Sequence, residues 1–121
     1  MTMNKGYLIT IEGCKPVEIP KEDGLQTMYN LIGCSMVQSF DWELSTGQYV
    51  SLYLDEEAQL SSGIKLGCIL RGAESPVVGN ILVLGPTDLY DGEGNDTSAP
   101  DNFEEHQLIE RKGLLNVAAM Q

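Results

Sequence analysis

The sequence predicts an α+β domain: a mainly antiparallel sheet of four or five strands, one packed amphipathic helix and a C-terminal helix. Short runs in which apolar and polar residues alternate predict half-buried strands, and one segment with apolar residues at helical spacing predicts the packed helix. The chain has 121 residues, of which 42% are hydrophobic and 21% charged. These values are typical of one folded domain rather than of a disordered chain.

The first elements are a strand pair and a helix. Residues 7–11 are β-branched and aromatic between Gly6 and Gly13 and predict a strand, with which residues 17–19 can pair. Apolar side chains then follow the i, i+3, i+4, i+7 pattern of an amphipathic helix, at Leu25, Met28, Tyr29 and Ile32. Gly33 is the expected C-terminal stop of this helix.

A hairpin is predicted next. Over residues 34–42 the apolar period changes to two, and after the turn at residues 45–48 the same alternation returns over residues 50–54. Two such runs joined by a short turn predict an antiparallel hairpin.

The following stretch is harder to interpret from pattern alone. We expect a short helix at residues 66–70. Residues 77–84 are almost uninterruptedly apolar and predict a central strand covered on both faces, with Gly79-Asn80 marking a bulge or tight bend.

The C-terminal part is predicted to contain a helix. Asp101 and Glu104 resemble a capping box, which favours a helix over residues 102–112 that Gly113 would end. The apolar residues 114–120 are suited to docking on the domain or on a second subunit. The chain thus divides into an α+β core (6–85), an acidic loop (86–101) and a C-terminal helix with an apolar tail (102–121), all in a single domain 1–121.

Charge is the strongest compositional signal. Eighteen carboxylates against seven Lys and Arg give a net charge of −11. Seven of these carboxylates fall within residues 22–63 and eight within 87–110, and neither segment contains Lys or Arg. A field of this sign repels nucleic acid and anionic membranes and attracts basic protein surfaces.

Catalytic, metal and cofactor motifs are weak or missing in the sequence. His106 is the only histidine, and no pattern places a nucleophile beside it. The cysteines Cys14, Cys34 and Cys68 lack the short spacing of structural zinc sites and favour buried free thiols in a reducing cytosol. The acidic run that begins at Asp91 fails the calcium-loop pattern, and no phosphate-binding glycine loop occurs. We therefore expect neither an enzyme nor a bound metal or cofactor.

Several stretches resemble one family of phage and mobile-element domains. They are residues 7–11, 29–33 (YNLIG), 34–40, 52–60 (LYLDEEAQL) and 77–85 (VVGNILVLG), which together span residues 6–85. The sequence is similar here to the family catalogued as domain of unknown function 3846. This resemblance implies an accessory role in phage or plasmid biology in the cytoplasm of a bacterial cell, and it supplies no catalytic residue.

The leading hypothesis is a non-catalytic, acidic protein-binding module that inhibits or modulates a host protein with a basic surface. A carboxylate surface spaced like phosphates could occupy the nucleic-acid site of a defence enzyme. The expected contact residues are Asp88, Asp91, Glu93, Asp96, Asp101, Glu104 and Glu105.

An alternative hypothesis is a protein that sequesters a small molecule or nucleotide in a pocket beside the sheet. The aromatic residues that could stack on such a ligand are Tyr29, Trp42, Tyr49 and Tyr53. A homodimer is compatible with either hypothesis, and no segment has the length of a membrane span.

Overall fold

The computed structural model describes residues 3–22, 24–58, 63–88 and 95–116, with the backbone alone described at 87–88 and 95–96. In these residues the strands are β1 Met3–Thr10, β2 Gly13–Pro20, β3 Val37–Glu43, β4 Tyr49–Asp55, β5 Ile64–Leu70, β6 Val77–Val78, β7 Ile81–Asp88, β8 Asn95–Thr97 and β9 Ile109–Asn116. The helix α1 is Gly24–Ile32, and a single 3-10 turn covers Glu105–Gln107.

The strands form two antiparallel sheets. The large sheet has the order β2-β1-β7-β4-β3, with β8 also paired to β7, and the small sheet has the order β6-β5-β9. The predicted α+β class and the mainly antiparallel pairing are confirmed. The predicted count of four or five strands in one sheet is wrong, because β5 and β9 of the small sheet come from segments that were predicted to contain helices.

Alternation along β4 and β7 sets the layer order. Leu52 and Val83 are fully buried and face a core shared with the small sheet. Tyr53 and Leu82, one position along each strand, face a second core under α1. Because successive side chains of a strand point to opposite faces, the large sheet is the middle layer between α1 and the small sheet.

The predicted helix, first strand pair and hairpin are confirmed. Met28 and Ile32 are the buried residues of α1, as the apolar spacing requires. Gly33 follows with φ of 82°, and the backbone N–H groups of Gly33 and Cys34 donate to the carbonyl of Tyr29 at 2.8 and 3.0 Å. A left-handed residue here satisfies carbonyls that the helix end leaves unpaired.

The apolar run 77–84 contains the predicted bend. Gly79 has φ of 95° and divides the run, so that Val77–Val78 belongs to the small sheet and Ile81 begins the central strand β7 of the large sheet. A glycine allows this turn between layers without the cost of a side chain at positive φ.

Both other helix predictions are wrong. Residues 66–70 lie in β5, and the predicted C-terminal helix is replaced by the 3-10 turn and by β9, which pairs with β5 from Ile64–Asn116 to Leu70–Ile109. A capping box does form, but three residues later than predicted, between Glu104 and Gln107, and it opens only one turn. Burial of Leu66, Cys68 and Leu70 against the large sheet favours the strand pairing over local helix propensity.

Candidate protein interface

Charge is divided across the large sheet. Asp41 and Glu43 are exposed on β3, the strand at one edge, and no Lys or Arg lies within residues 22–63. At the opposite edge, β1 carries Lys5 and β2 carries Lys15. The edge strand β3 therefore carries carboxylates alone, whereas the opposite edge strand β2 carries both Lys15 and Glu18.

The two carboxylate-rich segments meet at the turn between β3 and β4. The backbone N–H of Ser45, two residues after Glu43, donates to the carbonyl of Gln107 at 2.9 Å. Trp42 Nε1 donates to the carbonyl of Arg71 at 3.1 Å, and Arg71 N–H donates to the carbonyl of Leu108 at 2.9 Å. These bonds fix the end of β3 against residues 104–108.

Glu104 and Glu105 lie in different electrostatic surroundings. The Glu104 carboxylate is 2.6 Å from His106 Nε2, and both side chains are about two thirds exposed. The Glu105 carboxylate is 2.6 Å from Lys112 Nζ, in a pair with side-chain exposures of 31% and 19%. Glu104 is therefore available to a partner, whereas the charge of Glu105 is offset within the domain.

Asp101 borders a groove beside β1. The side chain of Asp101 is exposed, while its backbone carbonyl accepts a hydrogen bond from the Tyr7 hydroxyl at 3.2 Å. The Tyr7 ring packs on Phe103 with centroids 4.9 Å apart, which holds the segment to the sheet. The groove has a volume of about 690 Å³ and is lined in part by Lys5 and Glu18.

The other predicted contact residues lie at or beyond the limits of the described chain. Asp91 and Glu93 are outside the described residues. Asp88 and Asp96 are described through their backbone, with Asp88 paired to Asn95 between β7 and β8. A contact surface on this acidic loop stays a prediction.

Conversely, Asp41 and Glu43 were not among the predicted contact residues. The sequence shows that residues 22–63 contain carboxylates and no Lys or Arg. It does not show that Asp41 and Glu43 lie on an edge strand, because that depends on the strand order of the sheet.

The four aromatic residues of the alternative hypothesis do not converge. Trp42 packs with Phe40 on the side of the small sheet, whereas Tyr53 lies in the core under α1. Tyr49 is 55% exposed, and Tyr29 lines a hollow of about 480 Å³ with polar walls near the end of α1. A pocket that stacks all four rings on one ligand is therefore absent, and small-molecule binding stays a prediction.

The three cysteines are free, in agreement with the sequence, but only Cys68 is fully buried. Desolvation raises the pKa of Cys68 to about 11, with smaller and opposite effects from Lys112 and Glu105. Cys14 is exposed and Cys34 half-buried, and for each thiol partial desolvation is the main cause of a raised pKa. A raised thiol pKa lowers the thiolate fraction on which nucleophilic chemistry depends.

Neither a metal cluster nor a spanning helix is found in the described parts of the chain. No group of three or more His, Cys, Asp or Glu side chains there is placed to hold a metal ion. The helix in those residues is too short to cross a bilayer.

The fold and this surface define a layered α+β domain, helix on sheet on sheet, with Asp41 and Glu43 exposed on the edge strand β3 of its large sheet. The chain belongs to the DUF3846 family, described as a domain of unknown function, whose sequence model matches residues 3–111. The resemblance found over residues 6–85 is thereby confirmed and extends into β9. No curated protein and no solved structure matches the chain.

Proposed function

We propose that this chain is a non-catalytic, acidic protein-binding module that contacts a basic surface of another protein. The observation that carries the proposal is the junction at Ser45 and Gln107, because it joins the end of the segment that contains Glu43 to the segment that contains Glu104. Glu43, two residues before Ser45, and Glu104, three residues before Gln107, are exposed on either side of it.

The electrostatic field of the whole domain, rather than any single ion pair, is expected to attract the partner. An exposed pair contributes about 0.2–1 kcal/mol, whereas a surface of one sign steers encounter with the opposite sign and disfavours partners of like charge. A net charge of −11 on 121 residues makes this effect large at low ionic strength.

The proposed partner is a host protein that normally holds nucleic acid, and the proposed role is that of a phage or mobile-element protein which inhibits or modulates it in the bacterial cytoplasm. A cationic groove built for phosphates also attracts carboxylates arranged on a rigid sheet. The support for this part is the charge distribution together with membership of the family.

The test is capture of bacterial lysate proteins on the immobilised chain at low salt. Proteins held by this mechanism are released by raised salt and by added competing DNA. The proposal is contradicted when no captured protein responds to either eluent.

A further inference from the structure

The outer edge of β3 differs from the other sheet edges. β3 pairs with β4 over all seven residues without a register shift, and no described segment pairs with its other side. The opposite edge strand β2 contains Pro16 and Pro20, which lack backbone N–H donors. In the small sheet, β6 has two residues, and the β5–β9 pairing shifts register at Ile69/Leu70. Proline, short length and irregular pairing protect strand edges, and β3 has none of them.

The two faces beside the β3 edge differ in chemistry. Asp41 and Glu43 are exposed on the face that also carries α1. Phe40 and Trp42 are half-buried on the other face, with ring centroids 6.0 Å apart in an edge-to-face arrangement. A strand added at this edge would meet carboxylates with one set of alternate side chains and aromatic rings with the other.

We propose that the outer edge of β3 binds an extended segment of a partner protein as an additional strand, in which Lys or Arg alternates with apolar residues. Backbone hydrogen bonds supply affinity in this mode, and the alternating side chains supply specificity. The cationic residues of the segment lie beside Asp41 and Glu43, and its apolar residues lie beside Phe40 and Trp42. This inference rests on the proposed function and names the partner's recognition element.

Charge also argues against a second copy of this chain as the occupant. Pairing of β3 with β3 would bring Asp41 and Glu43 close to the same carboxylates of the other copy, and no Lys or Arg on either strand would offset them. Like charges on neighbouring strands are destabilising, so the edge favours a basic strand over its own.

Trp42 provides a direct probe, since it is the only tryptophan of the chain and lies on β3. The experiment titrates the full chain with a synthetic peptide of alternating lysine and valine, and with a peptide of identical composition in which the lysines and valines form two blocks. The alternating peptide is expected to shift Trp42 emission saturably and to bind at least about tenfold more tightly than the block peptide.

Variants that place a Lys on β3 locate the binding site. Two separate variants on the same face, Glu43→Lys and Ser39→Lys, are each expected to weaken binding of the alternating peptide at least about fivefold. Glu18→Lys on β2 makes the same charge change as Glu43→Lys at the opposite edge and is expected to alter affinity less than about twofold.

Equal affinities of the two peptides, equal losses in Glu43→Lys and Glu18→Lys, or no peptide binding would each overturn the inference. None of these results affects the lysate capture, whose own failure would contradict the proposed function, so the two failures are distinguishable.

Discussion

Lys112 connects the two sheets through a side chain that is only 19% exposed. Its Nζ donates to the carbonyl of Thr10, at the end of β1, at 2.9 Å and to the carboxylate of Glu105 at 2.6 Å. Hydrogen bonds to a charged group that is shielded from water contribute more than those at an open surface.

Replacing Lys112 tests this connection. Lys112→Met is expected to lower the free energy of unfolding by about 1–3 kcal/mol, because Glu105 and the Thr10 carbonyl lose a charged donor. Lys15→Met, which removes the same charge from an exposed position on β2, is expected to cost less than about 0.5 kcal/mol in the same urea titration. Equal losses would show that Lys112 acts through net charge alone.

The buried thiol of Cys68 predicts a pH dependence of stability. The unfolded chain releases this proton near the ordinary pKa of 9.0, whereas the folded chain retains it until about 11. The raised pKa therefore contributes stability below pH 9, and this contribution is lost as the pH rises from 9 to 11, by up to about 3 kcal/mol.

Unfolding free energies measured in reducing buffer across that range check the prediction. The decrease is expected to be steeper for the native sequence than for Cys68→Ala. Parallel curves would mean that the folded thiol titrates like an unfolded one.

Among the elements, β9 shows where local sequence pattern gives the wrong structure. Glu104 and the residues that follow it suit a helix start, but Leu108 and Ile109 are buried between the sheets and the chain continues as a partner of β5. Gly67 allows that pairing to pack closely, because a β-carbon there would overlap the side chain of Leu115.

Two glycine substitutions distinguish the strand from the predicted helix. Gly113 lies in β9 without a positive φ and with open space around it, so Gly113→Ala is expected to leave stability unchanged or to raise it by up to about 1 kcal/mol. Gly33 is left-handed at the end of α1, so Gly33→Ala is expected to cost about 1–2 kcal/mol. Thermal or urea unfolding measures the stability of both variants. A loss of stability in Gly113→Ala as large as that in Gly33→Ala would indicate that Gly113 ends a helix.

Elements whose local pattern agrees with their surroundings could be predicted from the sequence. In α1 the apolar spacing matches the buried residues, the β3–β4 hairpin follows from two apolar runs around a short turn, and the Gly79 bend follows from glycine alone. The small sheet could not be predicted, because β5 pairs with β9 residues that lie 39 to 52 positions later and has no alternating pattern of its own. For the candidate site, the amount of acidic charge was predictable, but its convergence depends on the hydrogen bond between Ser45 and Gln107.

For the whole molecule, the net charge of −11 predicts a response to salt. Repulsion among carboxylates opposes the compact state, and added sodium chloride screens it, so the Tm at neutral pH is expected to rise with ionic strength. The control is the same series near pH 4, where many unperturbed Asp and Glu side chains are protonated. A Tm that falls with salt at neutral pH would mean that attractive pairs dominate.

Carboxylates around the β3–β4 turn are proposed to form a contact surface for a basic protein. Reversal of Glu43 and Glu104 to Lys alters this surface, while reversal of Glu12 and Glu18 to Lys alters two carboxylates outside the two acidic segments. Each pair of reversals raises the net charge by four, from −11 to −7.

The measurement is the amount of salt-released partner captured at low salt by the native chain and by these two variants, each first shown by thermal melting to be folded. A contact surface at this turn requires that the Glu43 and Glu104 variant loses the partner while the Glu12 and Glu18 variant retains most of it. Equal retention, or equal loss, in the two variants would contradict a contact surface at this position.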